Sequence, residues 1–184
     1  MGITLITGNS KKAELFSKFI DMEIDHVDID LDEIQSLDLK VIIEHKVKQA
    51  YSIIGGPVLV EDISLEFEAL GRLPGPFIKF FLKELSAEEI CDLLKDKSRK
   101  AVARCMVGYY DGENLEMFPG EMMGTITEIP ALDNGFGWDR IFIPEGYAIA
   151  RSLMSEEDYK KTYLKIRRLD LVKENLSNQK VKKM

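Results

Sequence analysis

The sequence predicts an α/β protein with a central mixed sheet. Three observations carry this. Helix-period and strand-like segments alternate over the first sixty residues, strand-period segments dominate from Ala101 to Ile129, and neither a repeat nor a linker interrupts the chain. At 184 residues and 45% hydrophobic, the chain can bury a large core, as one domain or one domain with two lobes.

Ile3, Leu5 and Ile6 read as a buried strand, and Ala13, Leu15, Phe16, Phe19 and Ile20 as one helix face. Val27 to Leu31 alternates like a strand. Leu39, Ile42, Ile43, Val47, Ala50, Ile53 and Ile54 fall at helical spacing, and Gly55-Gly56-Pro57 ends that helix. Val58-Leu59-Val60 is a short buried strand, Leu65 to Leu70 fits more than one element, and Leu73-Pro74-Gly75-Pro76 is a rigid loop. Phe77 to Leu85 reads as helix, and Ser86 with Glu89 forms a capping box for a further helix through Leu94. Strands follow at Val102 to Tyr110, Leu115 to Phe118 and Thr125 to Ile129, with a bend or bulge expected at Gly120 and Gly124 between the last two. Ile141 to Ile143 is another strand. From Ser155 and Asp158 one long helix is expected, its stripe running Tyr159, Tyr163, Ile166, Leu169, Val172 and Leu176, with a frayed basic tail over 177–184.

Lys and Arg number 25 against 32 Asp and Glu, a net charge of −7, which argues against a general nucleic-acid surface. A local lysine cluster can still hold a small anion. Cys91 and Cys105 have no metal-ligand spacing and read as buried thiols of a reduced, cytoplasmic protein. No apolar run reaches membrane-spanning length, and no signal peptide is expected. His26 and His45 sit in no catalytic or metal pattern and read as surface residues.

Three segments carry candidate chemistry. Thr7-Gly8-Asn9-Ser10-Lys11-Lys12 joins the first strand to the first helix. The helix dipole and outward N–H groups suit an anion there, with two lysines at hand. The same segment also fits an ordinary turn with Asn9 or Ser10 as N-cap, and it is not a Walker loop. Glu61-Asp62 follows a continuous apolar strand, where paired carboxylates suit Mg²⁺ or position a water, and Glu33 follows the strand ending at Leu31 and could reach the same place. Phe136-Gly137-Trp138-Asp139 sets two aromatics and an acid around a glycine, suited either to stacking on a base and accepting its N–H or to core packing.

These motifs, in this order, resemble the inosine-triphosphate pyrophosphatase family, which hydrolyses non-standard purine nucleoside triphosphates. The resemblance runs from Ile3 to about Met154. It is carried by Thr7-Gly8-Asn9-x-x-Lys12, Ile29-Asp30-Leu31-x-Glu33-Ile34-Gln35, Lys46 with Ala50, and Gly56-Pro57-Val58-Leu59-Val60-Glu61-Asp62. Ala69-Leu70-Gly71, Leu73-Pro74-Gly75-Pro76, Lys79, Gly120 with Gly124, and Phe136 to Asp139 complete it. The resemblance implies an elongated two-lobed fold with the active cleft between the lobes, a homodimer, and a purine nucleoside triphosphate as substrate. It implies that Thr7, Gly8, Asn9, Ser10, Lys11 and Lys12 hold phosphates and that Glu33 and Asp62 hold Mg²⁺. Asp62 would also take a proton from the attacking water, although a metal-bound carboxylate has a low pKa, which opposes that role. Lys46 and Lys79 would neutralise the triphosphate, with Lys12, Lys46 and Lys79 lining one positive pocket. Phe136, Gly137 and Trp138 would border the base, and Asp139 would help read it.

Two departures bear on specificity. The family has Ser or Thr after the Asp of the Glu-Asp pair; here that residue is Ile63, which offers only its backbone N–H, and a hydroxyl appears at Ser64. The family's late lysine falls on Tyr159, and its Ser-His-Arg falls on Tyr163-Leu164-Lys165. Lys160 or Lys161 could stand in for the lysine, and Lys165, Arg167 or Arg168 for the arginine. Because Lys is no geometric substitute for Arg, altered base selectivity is expected. Three readings follow: a Mg²⁺-dependent pyrophosphatase, a hydrolase for another nucleotide, or a nucleotide-binding protein with little catalysis.

Overall fold

The computed structural model describes residues 2–132, 135 and 137–182, with the side chains of Lys11 and of 179–182 outside the described set. Strand β1 (Thr4–Ile6) leads into helix α1 (Ser10–Ile20), whose N-cap is Asn9. A short strand β2 (Asp25–Val27) follows, then helix α2 (Leu39–Ile54), opened by Asp38 as N-cap and closed by left-handed Gly55. Strand β3 (Val58–Phe67) runs to a single 3-10 turn, and the two-residue strand β4 (Pro74–Gly75) follows the cis Leu73–Pro74 bond. Helix α3 (Ile78–Glu84) and helix α4 (Ala87–Asp92) come next; the Ser86–Glu89 capping box is complete, with both reciprocal bonds present. Strands β5 (Lys100–Tyr110), β6 (Leu115–Ile126) and β7 (Phe142–Pro144) precede helices α5 (Glu156–Arg167) and α6 (Leu169–Lys182).

Among the described residues the strands form one mixed sheet in the order β2-β1-β3-β5-β6-β7, with β4 on β3. β1 runs parallel to β2 and β3, whereas β4 on β3 and β7 on β6 are antiparallel. The mixed α/β class expected from the alternation is therefore present. The chain divides into two compact units, one of Met1–Asp62, Cys105–Gly120 and Arg167–Met184, the other of Ile63–Arg104 and Glu121–Ile166. In the first, Ile42, Ile43, Val47 and Ala50 of α2 pack on Ile6, Val58, Val60 and Met106. Burying each large aliphatic side chain of this kind contributes about 1.5–3 kcal/mol. In the second, Leu65, Ile90, Leu94, Ala103 and Phe142 are fully buried. No helix among the described residues is long and apolar enough to cross a membrane.

Four elements differ from the expectation. The strand expected at Val27 to Leu31 is Asp25–Val27, because Ile29, Leu31 and Ile34 pack as loop residues against the α2 cluster. The short strand ending at Val60 continues to Phe67, so Glu61 and Asp62 lie within a strand rather than at its end. The two strands expected on either side of Gly120 and Gly124 are one strand, β6, which runs through both glycines. Gly124 serves close approach: a Cβ there would stand 2.4 Å from the Ile143 carbonyl and 2.5 Å from the Phe142 ring. The single long C-terminal helix is two helices, broken at Arg168 with φ 48°. Ile166, Leu169, Val172 and Leu176 stay buried on both sides of the break, so the apolar stripe carries no trace of it. Helix α6 continues past Ser177 to Lys182, over most of the expected frayed tail.

Candidate functional site

Parallel pairing of β1 with β3, in the register Thr4↔Val58 and Leu5↔Leu59, brings the turn after β1 and the Glu61-Asp62 pair to the same edge of the first unit. The turn holds itself in shape. Thr7 Oγ1 accepts from the Asn9 N–H at 3.2 Å, and Asn9 Oδ1 accepts from the Lys12 N–H at 3.0 Å. The turn leads into the first turn of α1, whose backbone N–H groups and positive dipole end are chemistry that suits an anion.

Strand alternation sends the two adjacent carboxylates to opposite faces of the sheet. Val58, Val60 and Asp62 face α2, where Asp62 Oδ2 accepts from Lys46 Nζ at 2.6 Å. Lys46 Nζ also donates to Glu33 Oε1 at 3.1 Å. Glu33 and Asp62, distant in sequence, thus converge on one cationic nitrogen. Burial works against the Lys46 charge, but Asp62 and then Glu33 outweigh it and raise its pKa above the ordinary lysine value. Glu61 faces the other way and is almost fully buried, with Lys12 Nζ at 2.8 Å and Arg167 Nε at 3.1 Å. Its burial opposes ionisation, yet Arg167 and Lys12 together hold its pKa below the usual carboxylate range. Glu61 and Asp62 are therefore two separate sites rather than one chelating pair. Of the three lysines expected to line a positive pocket, Lys12 pairs with Glu61, and Lys46 pairs with Glu33 and Asp62.

In the second unit, left-handed Gly137 (φ 61°) starts a 3-10 turn that buries Trp138 and Asp139. Asp139, 3% exposed, accepts from Arg151 Nη1 at 2.9 Å and from the Tyr159 hydroxyl at 2.9 Å. Trp138 packs edge-on against Phe142, with ring centroids 5.3 Å apart, and the Arg151 guanidinium lies 5.2 Å from its ring. Trp138 is thus buried between Phe142 and Arg151.

Lys79 is half-buried with its ammonium 5.1 Å from the Phe80 ring, Ile63 is half-buried within β3, and Lys165 is exposed on α5. Phe136 lies outside the described residues, and the Lys11 side chain outside the described side chains. Ser64, the only hydroxyl near Asp62 in sequence, is fully buried and donates to Glu66, so it does not make up for Ile63. Three of the five stand-ins expected for the late lysine and arginine are engaged elsewhere. Lys161 pairs with Glu157 and Asp158, Arg168 pairs with Asp170, and Arg167 is held by Glu61. Arg151, the hydroxyl contact of Tyr159 with Asp139, and the pairing of Arg167 with distant Glu61 were not anticipated. Cys91 and Cys105 are both buried free thiols, as expected, and burial pushes both pKa values up.

The described residues hold no group of three or more His, Cys, Asp or Glu side chains arranged to bind a metal. A hard cation such as Mg²⁺ needs fewer, because it takes one or two carboxylates together with substrate phosphate oxygens. Glu33 and Asp62, both against Lys46 Nζ, are two carboxylates brought to one point.

The chain is 36% identical to the inosine triphosphate pyrophosphatase of Scheffersomyces stipitis, covering 96% of this chain and 98% of that protein. It is 38% identical to the inosine triphosphate pyrophosphatase of Candida glabrata, covering 87% and 88%. The solved Ham1 protein of Staphylococcus aureus matches the fold with a TM-score of 0.83 at 21% identity, over 96% of this chain and 98% of that one. The Ham1 protein of Coxiella burnetii matches with a TM-score of 0.79 at 21% identity, over 98% of each chain. The model of the Ham1 family matches residues 3–170. Sequence and fold alike make this chain a member of the Ham1 family.

Proposed function

We propose that this chain hydrolyses non-standard purine nucleoside triphosphates (ITP, dITP and XTP) to the monophosphate and pyrophosphate in a Mg²⁺-dependent reaction. The names of its relatives support a nucleoside-triphosphate pyrophosphatase. The observation that carries the reading is the meeting of Glu33 and Asp62 at Lys46, on the sheet edge that also bears the Thr7–Lys12 turn.

In this reading the turn and the N-terminus of α1 receive phosphate oxygens through backbone N–H groups, the Ile63 N–H adds a further contact, and Lys12, Lys46 and Lys79 balance charge. Glu33 and Asp62 hold the Mg²⁺, which supplies positive charge where negative charge gathers on the phosphate oxygens. Water attacks the α-phosphorus, the bond from that phosphorus to the bridging oxygen breaks, and pyrophosphate leaves. Asp62 takes the water's proton. Positioning and charge stabilisation carry most of such a reaction. Phe136, Gly137, Trp138, Asp139 and Lys165 are assigned to the base. A homodimer in the cytoplasm belongs to the same reading.

The test is a substrate panel with Mg²⁺, measuring pyrophosphate released from ITP, XTP, dITP, GTP, ATP and pyrimidine triphosphates. Release from the 6-keto purine nucleotides supports the reading. Release only from a pyrimidine nucleotide, or binding without release, contradicts it.

A further inference from the structure

Arg151 is 2% exposed, and no motif in the sequence marks it. Four contacts place its guanidinium. Nη1 donates to Asp139 at 2.9 Å and Nε donates to Thr162 Oγ1 at 3.2 Å. The Trp138 and Tyr159 rings lie 5.2 Å and 4.6 Å from its central carbon. Thr162 is itself fixed, donating to the Tyr159 carbonyl at 2.9 Å. The second oxygen of Asp139 accepts from the Tyr159 hydroxyl. Both oxygens of Asp139 are thus held by side chains from outside its own turn.

A carboxylate this deeply buried keeps its charge only beside a cation and with its oxygens hydrogen-bonded; without them it is driven to the neutral form. The form decides which base edge it accepts. An ionised carboxylate only accepts hydrogen bonds, and each oxygen has more than one site to do so. It can therefore take the N1–H of a 6-keto purine while still bound to Arg151 and Tyr159. The bare N1 of adenine would bring lone pair against lone pair. A protonated carboxyl donates instead, and suits adenine N1. Arginine does not give up its proton in proteins, so it keeps its partner ionised where a histidine could not.

We propose that Arg151 is a positioning residue for base selection: by fixing Asp139 as an oriented carboxylate, with Tyr159 on the second oxygen, it makes the protein prefer 6-keto purines over adenine. The inference rests on the base-reading role given to Asp139 above. It supplies a base-selecting group in a chain whose Leu164 and Lys165 stand where the family has His and Arg.

The experiment compares kcat and KM for ITP and ATP in wild type, Arg151→Met, Arg151→Lys and Tyr159→Phe, with inosine and adenosine affinities measured by calorimetry on the same proteins. The Arg151→Met change is expected to lower the ITP-over-ATP ratio of kcat/KM by about tenfold, with KM rising for ITP and falling for ATP. Arg151→Lys keeps the charge and recovers part of the ratio, and Tyr159→Phe lowers it a few-fold. A merely structural arginine would change both substrates together and leave the ratio in place. A folded Arg151→Met protein with the wild-type ratio overturns the inference. If that variant does not fold, Tyr159→Phe with the wild-type ratio overturns it. Should the wild type release pyrophosphate from neither nucleotide, the proposed activity fails, and the inosine-to-adenosine affinity ratio then decides the role of Arg151 in the same way.

Discussion

Glu61 and Arg167, 106 residues apart in sequence, meet in a buried ion pair of 3.1 Å. Lys12, at the start of α1, completes the cluster at 2.8 Å from the same carboxylate. Buried charge of this kind is costly to leave unpaired, and breaking such a pair from one side costs about 3–5 kcal/mol. Arg167→Met should lower the unfolding free energy by about 3 kcal/mol in urea titration. Adding Glu61→Gln should cost less than the sum of the two single changes, because the orphaned charge is gone. Additive losses would show that the two side chains do not depend on each other.

Asp62 and Glu33 bracket Lys46, so their removal should separate chemistry from folding. Asp62→Asn should lose about 10²–10⁴-fold in kcat, the range for a lost proton acceptor, while melting close to the wild type. Glu33→Gln should raise the Mg²⁺ concentration needed for half-maximal rate. Wild-type turnover in Asp62→Asn would remove it from the reaction.

Lys12, Lys46 and Lys79 are assigned to phosphate, so each alanine variant should weaken binding of a triphosphate more than binding of the nucleoside alone. Calorimetry with a non-hydrolysable triphosphate and with inosine reads the difference. Equal losses for both ligands would place the lysines away from phosphate.

At Gly124 the Ile143 carbonyl and the Phe142 ring occupy the space a methyl group would need. Gly124→Ala should therefore destabilise the protein by about 1–3 kcal/mol, seen as a lower urea midpoint with an unchanged slope. An unshifted midpoint would mean that β6 and β7 separate without cost.

Much of this fold is legible locally. The spacing from Leu39 to Ile54, bounded by Asp38 and Gly55, gives α2 its observed limits. The Ser86–Glu89 box marks the start of α4 in the same way. Long-range packing hides the rest. Val27, Ile29 and Leu31 alternate like a strand, but Ile29 and Leu31 pack as loop residues against α2. The break at Arg168 spares every buried position of the stripe, so periodicity does not register it. In the candidate site, Glu33, Lys46 and Asp62 stand out because each lies in a motif. Glu61 reads as Asp62's companion until the strand runs on and alternation turns it to the opposite face. Arg151 is invisible beforehand, since an arginine after Ala150 carries no signal until Asp139 and Tyr159 are placed around it.

The central claim is that Glu33 and Asp62 serve a Mg²⁺-dependent cleavage between the α and β phosphates of a 6-keto purine nucleotide. Phosphorus NMR of ITP incubated with the protein, with and without Mg²⁺, tests it most directly. The account predicts equal amounts of IMP and pyrophosphate with Mg²⁺ present, and neither when the metal is chelated or when Asp62 is changed to Asn. Orthophosphate with IDP as the first products, or equal rates with and without metal, would contradict it.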